Sequence, residues 1–152
     1  MNCGEIDARV LIIGYGNPLR GDDGLGWHAA EALRKVLDDP SIRIDTCHQL
    51  VPELAEPVGR ADLVIFIDAC CDRPPGELGC RPVQATGTAQ SMFHHLDAGA
   101  LLALAAYIGG KTPRAYVITV GAESFDYTEQ LSATVAAVVP RVVETVRRLI
   151  HA

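Results

Sequence analysis

The chain has 152 residues, 49% hydrophobic and 21% charged, a composition that fits one globular domain over 1–152 and excludes wholesale disorder or a fibrous repeat. With 13 basic against 19 acidic residues the net charge is -6, and without a Lys/Arg cluster this argues against nucleic-acid binding. The longest uncharged central stretch, Ala98 to Gly110, is far short of the ~20 apolar residues of a membrane span.

Arg9 to Ile13 is an apolar run ending at Gly14, the mark of a buried parallel strand. Asp22-Asp23 can cap a following helix, in which Leu25, Ala29, Leu33 and Val36 recur near helical spacing until Asp38-Asp39-Pro40 stops it. Ser41 to Cys47 alternates as a second strand, and Val51 to Gly59, broken by Pro52 and Pro57, is a short helix or turn. Asp62 to Ile67 is the clearest buried strand and runs into Asp68, which is expected to end it. A loop over Cys71 to Gly79 contains Pro74-Pro75-Gly76, and Gly79 to Gln84 is a short strand. Asp97 caps a helix over Ala98 to Ile108 that Gly109-Gly110 ends; being apolar almost all round, it is expected to be buried, with a docking face for a partner as the alternative. Ala115 to Val120 is a further strand. Ser132 opens one long final helix, kinked at Pro140, with Val135, Val139, Val142, Val146 and Leu149 on one face.

Strands alternating with helices predict a three-layer α/β/α fold, a twisted and mainly parallel sheet of about five strands with helices on both faces. Ligands of such sheets gather beyond the carboxyl ends of the strands. Asp22 and Asp23, Asp68, and the pair His94-His95 all fall there. Each has an ordinary alternative: a helix cap, an acceptor for loop amides, a solvated histidine pair. A carboxylate at the end of an apolar run is costly to bury alone. A cation held between Asp23, Asp68 and a histidine would remove that cost, in a mixed O/N site suited to a divalent transition metal.

The N-terminus Met1-Asn2-Cys3-Gly4-Glu5 has neither the basic nor the apolar region of a signal peptide. The 5 cysteines, an odd count with no C-x-x-C pair, argue against a disulfide framework and a structural zinc site. Reduced thiols in a cytoplasmic protein are the expectation. Cys70 and Cys71, just after Asp68, are the candidate nucleophiles of a cysteine mechanism, but they lie in no known cysteine-protease context; packing is the simpler role.

The stretch from Gly14 to Gly26 follows a strand and opens a helix, as a dinucleotide fingerprint would. The third glycine of that pattern is Leu19 here, Gly-Lys-Ser/Thr is missing, and two acids stand where a phosphate would need bare amides. The glycines therefore read as allowing a tight loop that presents acids, and a nucleotide-binding module is disfavoured.

Gly14-x-Gly16-Asn17-Pro18-Leu19-x-Gly21-Asp22-Asp23-Gly24-x-Gly26 closely resembles the opening motif of the hydrogenase maturation proteases, endopeptidases that trim the C-terminus of the NiFe-hydrogenase large subunit. The resemblance continues, in order, through Phe66-Ile67-Asp68-Ala69, His94-His95-Leu96, and Val120 to Phe125 followed by Leu131-Ser132. It implies three nickel-contacting residues, Asp23, Asp68 and His94, with His95 beside the last as its alternative. It also implies that nickel is supplied by the large-subunit precursor rather than held tightly at rest, that nickel serves as the recognition signal, and that the partner is this precursor. We expect a monomer that binds neither membrane nor nucleic acid. Water, activated by the metal or by a carboxylate, would attack the scissile carbonyl, with Asp23 or Asp68 taking the proton. The competing reading on the same fold is a nickel-sensing chaperone that keeps the three ligands and never cleaves.

Overall fold

A computed structural model of the chain describes residues 8–87 and 96–152. Five strands form one sheet: β1 (Val10–Tyr15), β2 (Ile42–Cys47), β3 (Leu63–Cys70), β4 (Leu78–Pro82) and β5 (Arg114–Gly121), in the order β2-β1-β3-β5-β4. All neighbours are parallel except the β4–β5 pair. The helices are α1 (Leu25–Val36), α2 (Ala55–Arg60), α3 (Ala98–Tyr107), α4 (Ala133–Ala136) and α5 (Val139–His151).

The period-two alternation of the strands divides the core between the two faces of the sheet. Val10, Ile12, Ile65, Ile67, Ile118 and Val120 point to the layer of α1, α4 and α5. Leu11, Ile13, Val64, Phe66, Ala115 and Val117 point to the layer of α2 and α3. With β2 on one side of β1 and β3 on the other, the chain changes direction across the sheet between β1 and β3. That switch point opens a crevice at the carboxyl ends of the strands. The entry to α1 packs tightly beneath it: a Cβ on Gly26 would lie 2.8 Å from the carbonyl oxygen of Ile67.

Several elements differ from the sequence reading. Neither Asp22 nor Asp23 caps α1; both sit in a 3-10 turn (Gly21–Gly24), and Gly24 is the N-cap, with no side-chain bond. β3 does not end at Asp68 but continues to Cys70, because β5 goes on pairing with it, Asp68 opposite Thr119. The predicted 71–79 loop is shortened by β4, which begins at Leu78. The final helix is two helices. Pro140 lies in the first turn of α5, where a missing N–H leaves no helix bond unmade, so no mid-helix kink arises. The break shifts the buried face: Val138 and Ile150 join Val135, Val142 and Val146 in the core, while Val139 and Leu149 are only partly buried. Asp97 and Ser132 do cap α3 and α4, accepting from Ala100 N at 2.8 Å and Val135 N at 3.3 Å. The core-facing side of α3 is buried from Ala98 to Ala105, whereas Tyr107 and the following Ile108 are exposed. No helix among the described residues is long and apolar enough to cross a membrane.

Candidate functional site

The loop after β1 is built to hold one carboxylate in place. Gly16 has φ +135°, and a Cβ there would run into the backbone oxygen of Asp23. The chain can therefore fold back so that Asn17 N–H donates to Asp23 Oδ2 at 2.7 Å. Asn17 Oδ1 in turn accepts from Leu19 N at 3.0 Å, fixing the turn through Pro18. Trp27 braces the other side, its Nε1–H donating to the Gly16 carbonyl at 2.9 Å and its ring meeting His48 edge-on at 5.7 Å.

Asp68 comes from β3. Alternation places it, with Tyr15 at the end of β1, on the α2/α3 face of the sheet. The Tyr15 hydroxyl donates to the Asp68 carboxylate. Burial, and then the negative charge of Asp23, push the Asp68 carboxyl up to about 7, although the Ala69 N–H and the Tyr15 hydroxyl favour its ionised form. The Tyr15 hydroxyl is itself held well above its ordinary value by burial and by the Asp68 charge. A cavity of about 200 Å³ opens beside Tyr15, lined also by Arg81, Gln84, Thr86 and Asp97.

Asp22, adjacent in sequence to Asp23, is wholly buried and faces the other way. Its carboxylate accepts from Glu123 N at 2.8 Å, Ser124 N at 3.0 Å, Ser132 N at 2.7 Å and Ser132 Oγ at 2.8 Å. Burial opposes its charge, but these four donors outweigh burial and hold its carboxyl below the usual range. The loops after β1 and β5 are thus bolted together, reinforced by Gly21 N to Thr128 O at 2.9 Å and Asp22 N to Ser124 O at 3.0 Å.

Asp23 and Asp68 therefore meet at the switch point, close enough for the charge of one to suppress ionisation of the other. His94 and His95 lie outside the described residues. Among the described residues, no three His, Cys, Asp or Glu form a group able to hold a metal ion. The two carboxylates supply an unmet demand for positive charge, which suits hard or borderline divalent cations.

No family model and no curated protein matches the sequence. Solved structures do. A hydrogenase 2 maturation peptidase from a Thaumarchaeota archaeon is 27% identical, covers 94% of this chain and 98% of that one, and superposes with a TM-score of 0.71. The NiFe hydrogenase maturation protease HybD from Thermococcus kodakarensis is also 27% identical, over 93% and 98% of the two chains, with a TM-score of 0.70. Over almost its whole length the chain resembles the hydrogenase maturation proteases in sequence and fold. At 22% identity, over 94% of this chain and 92% of the other, the hydrogenase maturating endopeptidase HybD from E. coli shares the fold with a TM-score of 0.76.

The Cys70 thiol beside the site is poorly suited to nucleophilic work. Burial, and then the hydrogen bond and charge of Asp72, raise the Cys70 thiol, which lowers its thiolate fraction. Cys71 follows it on the exposed turn after β3. A Cys70→Ala/Cys71→Ala double variant is expected to retain cleavage within about threefold of wild type, measured as product formation with time; complete loss with intact substrate binding would put a cysteine in the mechanism.

Two contributions were missed in the sequence. Tyr15 was not singled out, though the alternation that buries Leu11 and Ile13 brings residue 15 to the same face as Val64, Phe66 and residue 68. Asp22 was weighed only together with Asp23, as a cap or a site acid. No spacing rule reveals that its partners lie at 123, 124 and 132. His28, on the first turn of α1, is half-buried, with Nε2 3.0 Å from the Glu129 carbonyl oxygen.

Proposed function

We propose that this chain is an endopeptidase that removes the C-terminal extension of a NiFe-hydrogenase large-subunit precursor after nickel has been inserted. The observation that carries this reading is the apposition of Asp23 and Asp68 at the sheet's switch point, in the fold of proteins named as hydrogenase maturation proteases. Two carboxylates of which one resists ionisation form a site that favours a cation another molecule brings. Asp23 and Asp68, with His94 as the third ligand and His95 as its alternative, would recognise nickel seated in the precursor. Specificity is then the difference in affinity between nickel-loaded and empty substrate.

In the metal-free site the Asp68 carboxyl is pushed up to about 7; a bound cation would lower it, so the base is whichever of Asp23 and Asp68 keeps an oxygen off the metal. The proposed step is attack of water on the scissile carbonyl, that carboxylate taking the water's proton and later returning it to the departing amine. Tyr15 keeps the Asp68 carboxylate oriented through its hydroxyl.

Incubating the protein with nickel-loaded precursor and weighing the large subunit by mass spectrometry tests this. Loss of the C-terminal extension is the expected result, with no loss from nickel-free precursor. An intact precursor retained in a stable complex would instead identify a nickel-sensing chaperone.

A further inference from the structure

We propose that Leu19, Phe125 and Tyr127 form a ridge that docks the folded body of the substrate protein, on a surface with an apolar centre and a rim of Lys and Arg. The inference rests on the protease reading and extends it from the cleft to the surface beside it.

The three side chains are 53%, 40% and 84% exposed. An aromatic as open as Tyr127 ordinarily moves freely, yet this one is held. The Arg20 guanidinium lies 4.6 Å from the centre of its ring, donates from Nη1 to its hydroxyl at 3.4 Å, and donates from Nε to the Phe125 carbonyl at 3.2 Å. A backbone bridge joins Arg20 to Thr128, and the buried Asp22 ties down the residues just before the ridge. Rigid, exposed aromatics lose little freedom on association, which is why they anchor interfaces. Leu19 belongs to the loop that carries Asp23, and the contacts of Arg20 with Thr128 and Phe125 hold the other two residues against that loop, so whatever covers the ridge lies next to the cleft.

Charge selects the occupant. Residues 16–24 and 122–132 contain five carboxylates, Asp22, Asp23, Glu123, Asp126 and Glu129, and one Lys/Arg, Arg20. Glu123, Asp126 and Glu129 are exposed around the ridge, while Arg20 is engaged with Tyr127 and Phe125. A second copy of this face would oppose like charges. A cationic surface would be drawn to it and oriented by it. Another exposed apolar pair, Tyr107 and Ile108, lies at the C-terminal end of α3, near the Lys111–Asp62 pair at the amino ends of the strands, and serves as a control.

The test is steady-state cleavage of nickel-loaded NiFe-hydrogenase large-subunit precursor by wild type, Phe125→Ser/Tyr127→Ser, Asp126→Lys/Glu129→Lys and Tyr107→Ser/Ile108→Ser, each first checked for an unchanged melting temperature. For the ridge variant, KM rising roughly tenfold or more with kcat held within about twofold is expected. For the rim variant, a raised KM that no longer depends on salt is expected. The control should match wild type. Ridge and rim variants that cleave like wild type would overturn the ridge and leave the protease reading standing. A wild type that neither binds nor cuts the precursor would overturn both. A wild-type dimer that the ridge variant dissociates would make a second copy the occupant and overturn the proposal.

Discussion

Asp68→Asn is expected to abolish cleavage, by roughly a thousandfold or more in kcat, while leaving the protein at least as stable as wild type at pH 8. The two halves share one cause. Asp68 is partly buried beside Asp23, and the folded protein favours its protonated form up to about pH 7, against 3.8 for an ordinary aspartate. Between those values the folded state holds a proton that the unfolded chain has released. Stability therefore falls as pH rises from about 4 to about 7, and the penalty is complete above that. It is on the order of 4 kcal/mol. Asparagine keeps the shape and removes the charge. The variant should lack the downward slope between pH 4 and 7 in urea unfolding, whereas a slope identical to wild type would show that Asp68 does not carry it. Asp23→Asn is expected to lose cleavage too, and to lower the Asp68 carboxyl by removing its neighbour's charge.

The second large effect is structural. Asp22→Ala is expected to destabilise the protein by about 3–5 kcal/mol, read as the shift in urea midpoint at pH 7. Alanine would leave three backbone N–H groups and the Ser132 hydroxyl without the acceptor they now share. Buried donors without partners cost far more than a typical hydrogen bond contributes. The pH signature has the opposite sense to that of Asp68. Because its folded carboxyl lies below the ordinary value, Asp22 stabilises above about pH 4 and loses that contribution as pH falls further. The windows of the two acids do not overlap, so one titration separates them. A loss below about 1 kcal/mol would mean that the loops after β1 and β5 hold together without this carboxylate.

Much of the architecture was legible because the central strands are apolar on both faces. Val10 to Ile13 and Leu63 to Ile67 have few other stable places than the middle of a covered sheet, and their order with the intervening helices predicts a parallel one. What misled were polar residues whose partners are distant in the chain. Asp68 looks like the end of a strand because a carboxylate rarely continues one; it does continue here, since β5 keeps pairing with residues 68 to 70 and Tyr15 offers the side chain a partner. Pro140 looks like a kink only if Ser132 to Leu149 is taken as a single helix. At the site, the placement of Asp23 and Asp68 followed from the rule that ligands collect at strand carboxyl ends. The division of labour between the adjacent acids did not, because it depends on which face of a 3-10 turn each side chain leaves from.

The outer strands bear on how a substrate's tail can reach the cleft. At one border of the sheet, β4 is short and antiparallel. Val83 N–H points inward to the Ala115 carbonyl, so its neighbour Pro82 sits where an outward N–H would be and has none to offer. At the opposite border, β2 carries the Arg43–Asp45 ion pair at 2.8 Å, a charged fringe that a new strand would have to displace. Both features disfavour the addition of an extended peptide as a further strand at these points. On the function proposed above, a substrate's tail would therefore reach the acids without lengthening the sheet at Pro82 or at the Arg43–Asp45 pair.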